Sequence, residues 1–167
     1  MANADRPNGF QPFGKILRVR PYRANEALLQ GDAVNRVAGT SDASGLSSIE
    51  MADASEALIG VVAAPVSSGG IALVYDHPDQ EFVVQADGAD VNEGADIGKN
   101  YNLLATVGAD GISAHELDSD TGAASATLPL KLLRILPAVD NALGAQVKCV
   151  VKINNHQLAG GTGVAGV

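Results

Sequence analysis

The chain has few aromatic residues and almost no cysteine. Its 167 residues include no tryptophan, and its three tyrosines and three phenylalanines make up an aromatic share of 4%. A sugar-binding platform or an aromatic-rich RNA surface stacks its ligand on rings, and this chain has few to offer. With Cys149 alone, no intrachain disulfide can form, so the sequence is not a stapled secreted scaffold. The N-terminus lacks the continuous apolar run of a signal peptide. No stretch approaches the ~18 apolar residues of a membrane-spanning helix. The expectation is a soluble protein that folds in a reducing cytoplasm and does not touch a membrane. Helical periodicity is missing too: no apolar pattern keeps a 3.6-residue repeat for more than a turn or two.

What the chain does have is many short apolar runs. The densest stretch extends from Ile71 to Gly88, with runs at 71–75 and 82–85 joined by Asp76-His77-Pro78-Asp79-Gln80. Both runs are strand-length, and Val, Ile, Tyr and Phe suit a pleated surface. Pro78 has no N–H to donate and fixes its own φ, which suits a turn. The stretch therefore reads as a hairpin that needs further strands for stability. Candidate strands lie at 15–20, closed by Pro21, and at 33–37, 47–51, 58–64, 101–107, 112–117, 130–136 and 146–153. Loops are expected at 39–46, 87–99, 118–125 and 137–144. About nine short strands separated by turn signals specify a mainly β chain: a single β-sandwich or small barrel, jelly-roll- or tulip-like. Its core is built from Val, Leu, Ile and Ala.

Three segments are expected. Residues 1–14, with two prolines, two glycines and two asparagines, cannot form a helix, yet they hold Phe10 and Phe13, two of the three phenylalanines. They read as an extended arm that lays its rings on another surface, or alternatively wraps back on its own domain. Residues 15–158 form the β-rich body. Residues 159–167 are Gly-rich and expected to be mobile unless a partner orders them.

The net charge of −8 is unevenly distributed. Residues 1–23 carry five basic groups against Asp5, residues 24–130 carry Arg36 and Lys99 against seventeen acids, and residues 131–167 carry four basic groups against Asp140. This is either a plain solubility surface or a basic face, formed by the two ends, that docks on something acidic. The basic residues are too few, and too far from any recognised motif, for a direct nucleic-acid partner. In a strand at 15–20, Arg18 and Arg20 share one face, side by side, suited to carboxylates on a neighbour.

No constellation carries catalysis. His77 with Asp76, Asp79 and Glu81 is the densest titratable cluster, but neighbours on a strand point to opposite faces, and Pro78 suggests a strand end rather than a metal site. His77, His115 and His156 show no His-x-His spacing. Asp118-Ser-Asp-Thr-Gly122 faintly echoes a calcium loop but lacks its later ligands and its Gly at the sixth position, so it reads as a turn. There is no Gly-x-Ser-x-Gly. Cys149 lies in an alternating strand as a small core or surface thiol. Gly69-Gly70 precedes a strand, not a helix, and so is no phosphate loop. No enzyme, metal or cofactor is expected.

Several stretches together resemble the small decoration, or cement, proteins of tailed-bacteriophage capsids. They are the Pro/Asn/Gly/Phe arm at 2–14, Tyr22-Arg-Ala-Asn-Glu-Ala-Leu-Leu-Gln-Gly-Asp32, Ile59-Gly-Val-Val62, Asp76-His-Pro-Asp-Gln-Glu-Phe-Val-Val-Gln85, Pro129-Leu-Lys-Leu-Leu-Arg134 and Val150-Val-Lys-Ile-Asn-Asn-His-Gln-Leu158. The resemblance covers residues 2–158, rests on structural motifs, and does not extend to the Gly-rich tail. It implies a β-rich domain on the outside of an icosahedral head, bound to the major capsid protein and to copies of itself, as a homotrimer or a dimer. Such a protein braces the shell against packaged DNA and has no catalytic residues. The candidate capsid or subunit interface comprises Phe10, Phe13, Lys15, Arg18, Arg20 and Arg23, with the basic ends toward the shell. Two other classes remain beside it: a carbohydrate- or receptor-binding β-sandwich of a virion tail or spike, and a small metal-dependent barrel enzyme.

Overall fold

The computed structural model of the protein describes residues 3–41, 43–88, 91–160 and 163–167. Their regular elements are β1 (Gln11–Phe13), β2 (Val19–Ala24), β3 (Ala33–Ser41), β4 (Ser47–Met51), β5 (Gly60–Val62), β6 (Ile71–Tyr75), β7 (Glu81–Gln85), the single-turn α1 (Glu93–Asp96), β8 (Asn100–Leu104), β9 (Glu116–Ala123), β10 (Leu130–Ile135) and β11 (Lys148–Ile153). No described helix is long and apolar enough to cross a membrane. The strands make two sheets. β2-β4-β3-β5-β6 close into a barrel, and β1-β7-β11-β10-β8-β9 form an open six-stranded sheet. The chain is mainly β, as expected, with a small barrel as one of its two parts.

Strand periodicity explains how the parts join. Successive side chains point to opposite faces. Inside the barrel lie Tyr22, Ala24, Leu28, Val34, Ile49, Ile59, Val62, Ala72 and Val74. One position earlier than Val34 and Val62, Ala33 and Val61 point outward into a larger core shared with the open sheet, with Phe82, Val84, Tyr101, Leu103, Leu117, Leu132, Cys149 and Val151. β3 and β5 are thus apolar on both faces where the sheet lies against the barrel. Backbone bonds cross the same seam: Leu58 N–H donates to Asn155 O at 2.9 Å and Gln157 N–H donates to Leu58 O at 2.9 Å.

The central stretch is not a hairpin. β6 pairs with β2 and β5 in the barrel, while β7 pairs with β1 and β11 in the open sheet. The turn at Pro78 exists, with Gln80 N–H donating to His77 O at 3.0 Å, but it hands the chain from one layer to the other. Gln80 is buried and holds the crossing: its Oε1 accepts from Leu17 N–H at 3.0 Å and its Nε2 donates to the carbonyls of Phe13 and Glu81. Separating the strands places Val74 inside the barrel and Phe82 and Val84 in the larger core, whereas a lone hairpin buries one face only.

Other boundaries move for local reasons. The strand expected at 15–20 starts at Val19 and continues through Pro21, which sits where β2 pairs only with β6; β4 joins at Arg23 and Ala24. A missing N–H is tolerated where a strand has one neighbour. β3 extends to Ser41, into the expected loop at 39–46. β8 and β9, near the expected strands at 101–107 and 112–117, pair antiparallel, but β9 covers 116–123 and takes in most of the expected loop at 118–125. As an edge strand it carries Glu116, Asp118 and Asp120, whose charges protect an open edge, and this composition reads as a turn.

The N-terminal arm lies on its own domain. β1 forms the edge beside β7, with Gln11 opposite Val83 and Phe13 opposite Glu81. Gly9 adopts φ +62°, a conformation natural to glycine, and a Cβ there would fall 2.4 Å from that of Ser113. The turn lets Phe10 N–H donate to Gly31 O at 3.0 Å and places the ring, 2% exposed, edge-on to Phe82 at 6.3 Å. The tail is held by its own chain as well. Val164 N–H donates to Asn154 Oδ1 at 3.0 Å, Asn100 Nδ2 to Val164 O at 2.8 Å, Lys131 Nζ to Ala165 O at 3.1 Å and Gly166 N–H to Ala124 O at 3.0 Å. These bonds tie residues 163–167 to the body; residues 161 and 162 of the expected Gly-rich tail lie outside the described residues.

Candidate functional site

The β2–β6 pair carries Arg20 and Arg23, with Arg18 just before β2 and Asp76 just after β6. Val19 faces Tyr75, Pro21 faces Leu73 and Arg23 faces Ile71 in an outward row; Arg20 faces Val74 and Tyr22 faces Ala72 in the inward row. The inward row ends at the barrel mouth on Asp76. Its carboxylate, fully buried, accepts from Arg18 Nε at 2.7 Å, from Tyr22 Oη at 2.6 Å and from Arg20 Nε. Its backbone oxygen accepts from Arg18 Nη2 at 2.8 Å. Burial alone pushes the Asp76 carboxyl up, but the bonds from Tyr22, Arg18 and Arg20 outweigh it and hold it below the ordinary carboxylate range. Burial, reinforced by Asp76, pushes the Tyr22 phenol up to about 12.

Arg18 and Arg20 do lie side by side on one face. The carboxylate they hold belongs to their own chain, at the barrel mouth, and both guanidiniums stay partly exposed. The expected role of Phe10 is corrected, since a ring in its own core cannot cover a partner. Phe13 is half-buried beneath the Arg134 guanidinium, 5.1 Å from the ring centre. Lys15 is exposed, and Arg23 is half-buried on β2.

The outward row is different. Val19, Leu73 and Ile71 are 40–58% exposed with exposed Pro21 between them, and Ile16 and Leu17, just before β2, are 50% and 42% exposed. Here a regular two-stranded surface presents large apolar side chains to solvent, with Arg23 in the same row and the partly exposed Arg18 and Arg20 at the barrel mouth beside it. From sequence, Ile71 and Leu73 read only as members of a strand. The signal was present in Ile71-Ala-Leu-Val-Tyr75, where bulky residues occupy both parities of the strand, one more face than the barrel interior can use.

The remaining titratable groups are committed elsewhere. Around Pro78, Asp76 is held as described, His77 Nδ1 accepts from Asp79 N–H at 3.1 Å, and Glu81 lies 4.0 Å from Arg134, so the expected cluster does not converge. Among the described residues no three His, Cys, Asp or Glu side chains gather as a metal site. His115 is fully buried; its Nδ1 accepts from Ala33 N–H at 3.2 Å, and its Nε2 lies 3.6 Å from Asp32 Oδ1. Burial pushes it below the usual imidazole range against the opposing pull of Asp32. Its Nδ1 is taken by the backbone, while Nε2 and Asp32 Oδ1 face each other buried and without a hydrogen bond. His156 accepts from Leu158 N–H at 3.1 Å, and burial lowers it to about 4. Burial raises the Cys149 thiol to about 12, which keeps it protonated and unreactive.

Glu116 is pushed up to about 7 by burial and by the charges of Asp5 and Asp87, and Asp118 is raised by burial, Asp87 and Asp120. Asp87 in turn accepts from Ser119 N–H at 3.0 Å and from its hydroxyl. A cavity of about 410 Å³ lies between residues 3–8 and 139–148. Its amides bind backbone: Asn3 Nδ2 donates to Ala142 O at 2.7 Å, and Gln85 Nε2 donates to Ala4 O at 2.7 Å. This geometry straps a segment down rather than presenting a reactive group.

Compared with models of known protein families and with curated proteins, the chain matches none.

Proposed function

We propose that the protein is a structural decoration protein of a tailed-phage head. It binds the outer surface of the major capsid protein as an oligomer, a homotrimer with a dimer as the alternative, and braces the shell against internal DNA pressure. In this reading the small barrel is tulip-like, the protein resides on the outside of the virion, and it is not an enzyme. The observation that carries the proposal is the exposed apolar face of β2 and β6, with arginines in and beside it, on an otherwise acidic chain. Contiguous apolar surface on a regular element is costly to leave bare and marks an interaction site. The resemblance of residues 2–158 to decoration proteins supplies the partner. The acidic remainder suits a protein crowded at many copies on one particle, where like charge prevents aggregation.

The test is to add the purified protein to heads of the encoding phage that lack it, and to measure co-sedimentation and the temperature at which the heads release DNA. Saturable loading with raised heat resistance is expected. Absence of loading, together with specific binding on a glycan array, overturns the proposal in favour of a receptor-binding β domain.

A further inference from the structure

We infer that the outward β2–β6 face is a subunit contact onto a different surface of a second copy of this chain: a head-to-tail contact, not a two-fold one. The inference deepens the proposed oligomer and rests on that reading for its context, but it is tested on the free protein.

Three observations lead to it. First, Ile16, Leu17, Val19, Pro21, Ile71 and Leu73 stand on or beside paired strands of a closed barrel, so the face is preformed and needs no folding to bind. Second, cations outnumber acids there: Arg23 lies in the row itself, and the partly exposed Arg18 and Arg20 beside it share one buried acid, Asp76. Two such faces meeting across a two-fold axis would oppose like charges, which works against an isologous dimer. Third, the complement is present on the same molecule. Residues 100–130 contain four acids and neither lysine nor arginine. Their β8–β9 connection exposes Leu104, Val107 and Ile112 at 36%, 76% and 45%, with exposed Asp110 among them. Ile112 is anchored by its bridge to Gln30, so this surface too is held in place. Apolar residues beside cations on one copy match apolar residues around the exposed Asp110 on the next. A contact between two different surfaces closes into a ring when its rotation allows.

The experiment uses full-length protein and sedimentation velocity. Variant one carries Ile71→Glu and Leu73→Glu; variant two carries Val107→Lys and Ile112→Lys. Circular dichroism and melting establish that each is folded. If the glutamates disturb the barrel, Ile71→Ser with Leu73→Ser replaces them. The wild type is expected to sediment as a species larger than a dimer, weakened by salt. Each variant alone is expected to be monomeric. Mixed, the two retain one intact contact between them and form a 1:1 pair that grows no further. A monomeric wild type, a variant one that still assembles, or a mixture that fails to pair overturns the inference. Loading of the wild type onto heads is a separate measurement, so failure of the contact and failure of the decoration reading are told apart.

Discussion

The barrel has two outer faces built to the same rule with opposite outcomes. On β3 and β5 the outward residues Ala33 and Val61 are 0% and 1% exposed, because the six-stranded sheet lies over them. On β2 and β6 the outward residues Val19, Leu73 and Ile71 are 40%, 49% and 58% exposed, with nothing of the described chain over them. Side-chain type does not separate the faces, since both are apolar. What separates them is a partner layer. An apolar outer face is therefore evidence of a contact, and on β3 and β5 that contact is intramolecular. The charges differ as well: arginines cluster beside the bare face, while at the seam the buried Asp32 and His115 face each other among backbone bonds.

The largest test of this contrast is to place a charge on each face. Val61→Asp buries an unpaired carboxylate in the seam and is expected to cost more than ~4 kcal/mol, preventing folding. Leu73→Asp on the bare face is expected to leave the free protein folded with a near-unchanged urea midpoint. Equal damage from both would show that the bare face is part of the fold.

Phe10→Ala comes next. Its ring belongs to the seam's core, so the expected loss is about 3–5 kcal/mol by urea unfolding. A loss below ~1 kcal/mol would return the arm to the surface-binding role read from its composition. Asp76→Asn addresses the barrel mouth. It leaves Arg18, Arg20 and Tyr22 facing a neutral amide and is expected to cost about 1–3 kcal/mol, with the Arg18 and Arg20 ion pairs discounted because both guanidiniums are partly solvated.

Acid response sharpens the comparison further, because two buried groups act in opposite directions. Glu116, raised from 4.5 to about 7, keeps a proton in the folded chain that the unfolded chain releases. Its contribution is present below pH 4.5 and is lost as pH rises through 7. His156, lowered from 6.5 to about 4, is neutral when folded and charged when unfolded across the interval between those values. Its contribution is present above pH 6.5 and is lost as pH falls through 4; His115 adds in the same direction. Glu116→Gln removes the first effect and exposes the second. Relative to wild type, the variant is expected to lose of the order of 2 kcal/mol on going from pH 6.5 to 4.5, read from urea melts at both values. Parallel profiles would contradict the assignment. The smallest expected effect is that of Ile71→Ser with Leu73→Ser, within ~0.5 kcal/mol in the dissociated monomer.

Much of the architecture was legible because strands announce themselves by local pattern. β4, β6, β7, β10 and β11 lie where short Val/Ile/Leu runs fall between turn residues. The missed strands lack that signal. β1 is Gln-Pro-Phe, an edge of three residues recognisable only by its partner β7, and β9 is an acidic edge whose sequence resembles a loop. At the candidate site, Arg18 and Arg20 were correctly placed on one side. Asp76 was read as a strand end rather than as their partner, because Arg18 and Asp76 stand 58 positions apart and meet only when β2 and β6 pair.

By itself the sequence determined that the chain is β, that its charge is segregated and that its core is mostly aliphatic. All of these depend on neighbours a few residues away, through φ preference, side-chain alternation and solvation. Only the tertiary structure decided which strands share a sheet. Residues 71–75 and 82–85 suit a hairpin locally, and burial of Val74 and Phe82 in two different cores draws them apart. The same long-range packing decided that Phe10 closes a core while Ile71 and Leu73, no less apolar, remain in water. Pairing energy between distant strands and the covering of one layer by another are properties of the assembled chain, and no window of local sequence contains them.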